Sequence, residues 1–405
     1  MIQITRRHIL KSGTAAGAVA TLGGTFGASL ALAQVQGDIV VGASLPVTGV
    51  FANAGVEFAA AMTDYCNWRN ENGGVSGRKL RLVWEDSAYK TDQSVAVFRK
   101  ISASDNPPFY YGDSTGWSKA VAAEVSSRGT MLTSAPSFSS DLADPEKVPY
   151  YFMSGPTYNA MLEVLLRYIK SNQKGSTAPS VALIYSDTEF GRDPIAAAKA
   201  KAQELGLPLA AEIIIKPGGV DVSAEVIKLR RAKPDYVIFH GYVLAPIPEF
   251  MRQIREAGLD PTFMGTIWTM DKLIIDQMKD AADGFTGVMP YRYYYDTDGA
   301  PAMKTIQAVS RKAKPDSTYR TVFYVHAWLT MMIYEEIAKR LIAAGKPFDG
   351  PNMKAALESI ENWDTGGIVG MPVSLKSHSI PIGRVYRANG KTKLLDPVSD
   401  WIKIG

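Results

Sequence analysis

Ile39-Val40-Val41-Gly42-Ala43-Ser44-Leu45 reads as a strand buried on both faces, because its apolar residues run on without the alternation of a half-exposed strand. A Gly-containing turn and a helix from about 54 to 71 follow, and Leu80-Arg81-Leu82-Val83-Trp84 is the next strand. The unit then repeats outward. A helix from about 92 to 102 precedes Phe109-Tyr110-Tyr111, and a helix from about 116 to 127 precedes Thr130-Met131-Leu132-Thr133. Strands alternating with helices over short connections predict parallel βαβ units with helices on both sheet faces.

A second series opens near residue 154. Val181-Ala182-Leu183-Ile184-Tyr185 leads to Phe190-Gly191-Arg192-Asp193-Pro194 and an Ala-rich helix, with Asp193 expected as N-cap and Pro194 as first helical residue. Strands are predicted at 212–215, 236–239 and 262–265, with helices near 223–231 and 248–257 between them. After Gly284 come a strand from Phe285 to Met289 and helices near 300–313, 321–344 and 351–361. The stretch from Ile368 to Ile404 is β-rich, with a turn at Asn389-Gly390. The expected fold is α/β: two doubly wound Rossmann-like lobes, with ligand bound where strands end.

The ends and the composition restrict function. Arg6-Arg7 precede an uncharged Ala- and Gly-rich stretch, about Thr14 to Leu32, that closes on Ala31-Leu32-Ala33. This predicts a signal peptide over 1–33 of the twin-arginine type, cleaved after Ala33, and hence a periplasmic protein. Ile9 stands where that signal carries an aromatic, so general secretion is the alternative route. No cysteine follows the leader, so no lipid anchor is expected. Arg6, Arg7 and Lys11 leave with the leader, taking the formal net charge from +4 to +1, which argues against a nucleic-acid partner. No later stretch is apolar enough to span a bilayer. The single Cys66 permits no intramolecular disulfide and reads as a buried, inert thiol on the first helix.

The chain resembles the type I periplasmic binding proteins of the leucine/isoleucine/valine-binding kind, over essentially everything from Ile39 onward. The resemblance rests on Val41-Gly42-Ala43-Ser44-Leu45-Pro46-Val47-Thr48-Gly49, on Asn70-Glu71-Asn72-Gly73-Gly74-Val75-Ser76-Gly77-Arg78-Lys79-Leu80 and on Glu85-Asp86. It continues in Tyr185-Ser186-Asp187-Thr188-Glu189-Phe190-Gly191, in Ala232-Lys233-Pro234-Asp235-Tyr236-Val237 and in Arg252-Gln253-Ile254-Arg255-Glu256-Ala257-Gly258-Leu259. It implies a three-crossing hinge, with 38–153 plus 288–378 as lobe one and 154–287 plus 379–405 as lobe two. It also implies a monomeric, non-enzymatic solute-binding component of an ABC importer, without cofactor or metal, that docks on a membrane permease. Carried over by position, its ligand contacts fall on Ser114, Thr115, Gly116, Trp117, Ser137, Phe138, Phe190, Tyr242 and Trp268.

The chemistry of these positions suits a small carboxylate. Gly112-Asp113-Ser114-Thr115-Gly116-Trp117 joins a strand to a helix, whose first amides are unsatisfied and carry partial positive charge. The hydroxyls of Ser114 and Thr115 would add hydrogen bonds, although N-capping alone also explains them. Trp117, Phe138, Phe190, Tyr242 and Trp268 would supply apolar area and stacking faces; each taken singly also fits a packing role. Amino-acid-binding relatives place an acid for the ligand ammonium in the loop corresponding to Thr266-Ile267-Trp268. No acid stands there, although Asp271 is close. A buried ammonium without a partner is strongly disfavoured. The expected ligand is therefore a carboxylate without an α-amino group, aromatic in character, with branched-chain and other amino acids as the alternative.

Gly112-Asp113-Ser114-Thr115-Gly116 also satisfies the G-x-S-x-G elbow of α/β-hydrolases, with Ser114 as nucleophile. Asp283 with His326, or Asp349 with His378, would complete a triad in the required chain order. Against this, the motif is short, His326 lies in the apolar helical run Val322 to Ile333, and no Gly-rich oxyanion segment precedes it. The histidines past the leader, His240, His326 and His378, lack metal-ligand spacing, and no phosphate-binding Walker pattern occurs. A ligand sensor is the third reading; the chain carries no signalling segment after the lobes, which favours an importer component.

Overall fold

The computed structural model describes residues 37–219, 221–242 and 246–404, so the leader over 1–33 lies outside the described residues. In chain order the elements are β1 (Ile39–Leu45), α1 (Ala52–Glu71), β2 (Leu80–Asp86), α2 (Thr91–Asp105), β3 (Phe109–Tyr111), α3 (Thr115–Arg128) and β4 (Leu132–Ser134). Then come α4 (Tyr158–Ser171), β5 (Val181–Ser186), α5 (Glu189–Arg192), α6 (Ile195–Glu204), β6 (Leu209–Ile215), α7 (Ser223–Ala232), β7 (Tyr236–His240), α8 (Ile247–Glu256), β8 (Thr262–Gly265) and α9 (Leu273–Met278). The chain closes with β9 (Thr286–Met289), α10 (Pro301–Ala313), α11 (Val322–Ala343), α12 (Gly350–Glu358), β10 (Ile382–Asn389), β11 (Leu394–Pro397) and β12 (Ile402–Lys403).

Two sheets result. The first is parallel, in the order β2-β1-β3-β4. The second repeats that order as β6-β5-β7-β8, extends it in parallel with β9, and ends with antiparallel β10 and β11, β12 pairing on β10. In each sheet the leading strand, β1 or β5, has its successors on opposite sides. That reversal opens a crevice beyond the carboxyl ends of β1 and β3, and of β5 and β7, because the connections leave in opposite directions there.

Helix packing explains the long apolar runs. α1 packs on α10 and α11, whereas α2 packs on α3, and both α1 and α2 lie against β1. α11 is buried nearly all round, from Val322 through Leu341, which is why its sequence is apolar without a polar stripe. Gly55 lets α1 approach the end of β1, since a Cβ there would stand 2.0 Å from the Pro46 carbonyl oxygen. Cys66 is buried in this packing, and burial pushes its thiol up to about 12, as expected for an inert cysteine.

Three local expectations are corrected. Asp193 does not cap α6, whose N-cap is Pro194. Its carboxylate instead accepts from the Ser139 hydroxyl and the Ser140 amide (3.3 Å) and pairs with Lys119 Nζ at 3.2 Å, a stronger set of partners than one helix-end amide. The Asn389-Gly390 turn is right in place, but its loop runs over 390–393, closed by the Lys393 amide on the Asn389 carbonyl (2.9 Å). From 368 to 381 there is no strand, only a bridge between Trp363 and Val373.

Candidate ligand-binding site

The carboxyl ends of the four strands beside the two crevices converge. Pro46 after β1, Asp113 and Thr115 after β3, Phe190 after β5 and Tyr242 after β7 border one cavity of about 20 Å³. Phe51, Ala54, Phe58, Tyr89, Pro136, Trp268 and Phe323 complete its wall. A wider pocket of about 260 Å³ adjoins it through Phe51, Tyr89 and Phe190, and reaches Ser114, Gly116 and Thr188. The inner space holds about one water, so a ligand enters only when the two sides part.

The sides meet through rings. Trp268, just after β8 of the second sheet, stacks with both Phe138 and Phe323; each ring centroid is 5.5 Å away, at 16° and 18°. Its indole N–H donates to Tyr158 Oη at 3.0 Å, which fixes the ring's direction. Tyr89 and Tyr242 join hydroxyl to hydroxyl at 2.5 Å, and Phe51 packs on both. Phe190 is held through its backbone: neutral His240 donates from Nε2 to the Phe190 carbonyl (3.1 Å) and accepts from the Thr266 hydroxyl at Nδ1 (2.8 Å). Burial pushes His240 down to about 3, so the imidazole stays uncharged.

The β3–α3 junction provides the polar end. Ser114 caps α3, accepting from the Trp117 amide at 3.1 Å, and donates its proton to Asp113 at 2.8 Å, so that hydroxyl is committed. The Thr115 and Gly116 amides have no acceptor among the described residues, and the Thr115 and Ser137 hydroxyls lie 2.9 Å apart. No basic side chain among the described residues borders the inner cavity. Asp113 borders it as a carboxyl held by Ser87 (2.6 Å) and Ser114, its pKa raised by burial.

Of the nine positions expected from sequence, Thr115, Phe190, Tyr242 and Trp268 line the inner cavity, Ser114 and Gly116 the outer pocket, and Ser137 and Phe138 stand directly behind. Trp117 is the correction. Its indole turns into the core, stacked on Tyr110 at 5.5 Å and against Phe98, over Gly112, where a Cβ would stand 1.8 Å from the ring. Asp113 was legible within the quoted motif. Phe58 and Phe323 carried no sequence signal, since they sit in helices as apolar as their cores.

Asp271, the acid nearest Trp268 in sequence, does not enter the cavity. Fully buried, it accepts from the Val322 amide at the start of α11 (2.7 Å), the Tyr319 hydroxyl (3.0 Å) and the Leu273 amide (2.9 Å). Burial raises its pKa to about 6, above the unfolded carboxylate value. Its contribution to stability is therefore complete at low pH and is lost as pH rises through about 6. Between pH 7 and pH 5 the native chain should gain about 1 kcal/mol over the Asp271→Asn chain. Urea unfolding at both pH values checks this; parallel pH profiles would contradict it.

The elbow motif does not assemble a triad. Asp283 accepts from the Gly390 amide (2.7 Å), whereas His326 faces Ser154 at 3.5 Å. Asp349 caps α12 through the Asn352 amide (2.9 Å), and His378 bonds the Tyr151 carbonyl (2.9 Å) and Glu358 (3.1 Å). Ser114 has no histidine partner among the described residues.

Two α/β sheets of matching order, meeting at their switch points around an aromatic cavity, define a two-lobed binding protein. The chain belongs to the periplasmic binding protein family, whose model matches residues 38–392. A leucine-, isoleucine-, valine-, threonine- and alanine-binding protein of Pseudomonas aeruginosa is 26% identical over 254 residues, 62% of this chain and 66% of that relative. Among solved structures, a branched-chain amino acid ABC transporter protein of Thermus thermophilus with bound valine superposes with a TM-score of 0.82 at 22% identity, covering 91% of this chain and 96% of that one. A solute-binding protein of an ABC transporter from Rhodopseudomonas palustris BisB5, in complex with 3,4-dihydroxy benzoic acid, gives 0.76 at 19% identity, covering 91% and 98%.

Proposed function

We propose that this protein is the periplasmic, monomeric binding component of an ABC importer, exported by its leader, that closes two lobes on a small aromatic carboxylate and presents it to a membrane permease. The lobes are 38–153 with 288–378, and 154–287 with 379–405. The observation that carries the ligand class is the cavity's make-up: rings from both sheets, two free amides at the α3 N-terminus, and the nearby Asp271 spent on α11. Contacts from both sides favour the closed state by their differential affinity, and closure signals occupancy to the permease. No catalytic step enters this reading.

A neutral α-amino acid is the second reading, and Asp113 favours it as the one acid among the described residues that borders the inner cavity. Against it, both Asp113 oxygens already accept hydroxyl protons, and burial disfavours its charged form. Calorimetric titration of the mature chain with benzoate, leucine and valine decides. The expected result is saturable binding of benzoate, with the amino acids weaker by at least about tenfold, the cost of a poorly paired buried ammonium. Tight leucine binding with no response to benzoate would overturn the carboxylate reading.

A further inference from the structure

Behind the aromatic wall lies a polar floor. Phe138 and Trp268 are nearly parallel, and His326 stands perpendicular to both, at 87° and 5.5 Å from Phe138 and at 88° and 5.4 Å from Trp268. The two rings stack directly on each other here, and the imidazole meets both edge-on. Tyr111 and Tyr291 flank it, their ring centroids 6.0 and 6.1 Å away. All three side chains are fully buried, and His326 Nε2, Tyr111 Oη and Tyr291 Oη have no hydrogen-bond partner among the described residues.

Buried polar atoms in native proteins are overwhelmingly paired, so three unmet atoms around one ring point to a partner that arrives with the ligand. The chemistry of the floor restricts that partner. Burial holds His326 neutral, pushed down to about 3, and keeps both phenols protonated. A carboxylate would meet no cationic partner there, whereas a hydroxyl can donate to one of these atoms and accept from another. The stacked pair is also correctly placed. Ser137, which pairs with Thr115 at the polar end, immediately precedes Phe138, so a carboxylate at the α3 N-terminus leaves its ring beside that pair.

We propose that the ring of a planar aromatic acid enters between Phe138 and Trp268, parting the direct stack they form here, and that His326, Tyr111 and Tyr291 hydrogen-bond a hydroxyl on that ring. This rests on the carboxylate reading above and adds the substituent. Sites built to bond a hydroxyl discriminate strongly against analogues that lack it, because their own polar atoms are then stranded.

The test is calorimetry on the mature chain with benzoate, the three monohydroxybenzoates and 3,4-dihydroxybenzoate. At least one hydroxylated acid should bind about tenfold or more tighter than benzoate, about 1.4 kcal/mol. In the Tyr111→Phe/Tyr291→Phe double variant that ratio should fall towards one. Equal affinities for benzoate and all hydroxylated acids would overturn the floor assignment, meaning that water fills it, and leave the carboxylate reading standing. A preference that survives in the double variant would overturn it too. Binding of leucine with no aromatic acid bound would overturn both. Should the double variant fail to fold, the ratio in the native chain decides alone.

Discussion

Truncating Trp268 to alanine is expected to weaken binding of the tightest aromatic acid by about a hundredfold, roughly 2–3 kcal/mol, the loss typical of a buried aromatic anchor. Trp268 is only 3% exposed and stacks with two rings, Phe138 and Phe323. Alanine would remove both stacking contacts at once, together with the N–H that the Tyr158 hydroxyl accepts. Trp268→Phe keeps a ring and loses only the N–H, so an intermediate loss is expected. Calorimetry on purified, folded variants measures both. Affinity for Trp268→Ala within a few-fold of native would mean that the clamp on the ligand lies elsewhere.

The largest effect on stability is expected at Trp328. Trp328→Ala should lower the unfolding free energy by about 3–5 kcal/mol, the range for deleting a fully buried large aromatic. The indole is 1% exposed and packs against Tyr65 at 4.9 Å, Trp68 at 5.6 Å and Tyr324 at 6.2 Å. These rings join α1 to α11, the principal helix contact of the first sheet. Neighbours bound in two rigid helices cannot collapse into the space, so most of the cavity cost remains. Urea unfolding followed by circular dichroism reads the shift; a loss below about 1 kcal/mol would show that the helix pair does not depend on this ring. Trp328 lines neither the inner cavity nor the outer pocket, so molecules that remain folded should still bind.

Most elements were legible because periodicity and turn chemistry are local. The continuous apolar runs at Val181–Tyr185 and Tyr236–Phe239 are strands with helices over both faces, and they appear as β5 and β7. Asp193 shows where local reasoning stops. Asp-Pro is a sound helix-start signal, yet Lys119, Ser139 and Ser140, all remote in sequence, offered the carboxylate more than the helix end did. Trp117 shows the same limit for a site. Its position at the start of α3 matched the family, but the turn of the helix and the glycine at 112 aim its indole at Tyr110.

The sequence by itself determined the two βαβ series and the strand-end loops that border the cavity. Those follow from spacing along the chain, which a single strand or helix already expresses. Only the tertiary structure decided which residues face the cavity. Phe58 on α1 and Phe323 on α11 come together, ring centroids 5.6 Å apart, because separate elements pack at one crevice. The unmet atoms of Tyr111, Tyr291 and His326 were likewise invisible in sequence. Whether a buried hydroxyl has a partner depends on what stands within about 3 Å of it in space, and neighbours at that range need not be near in the chain.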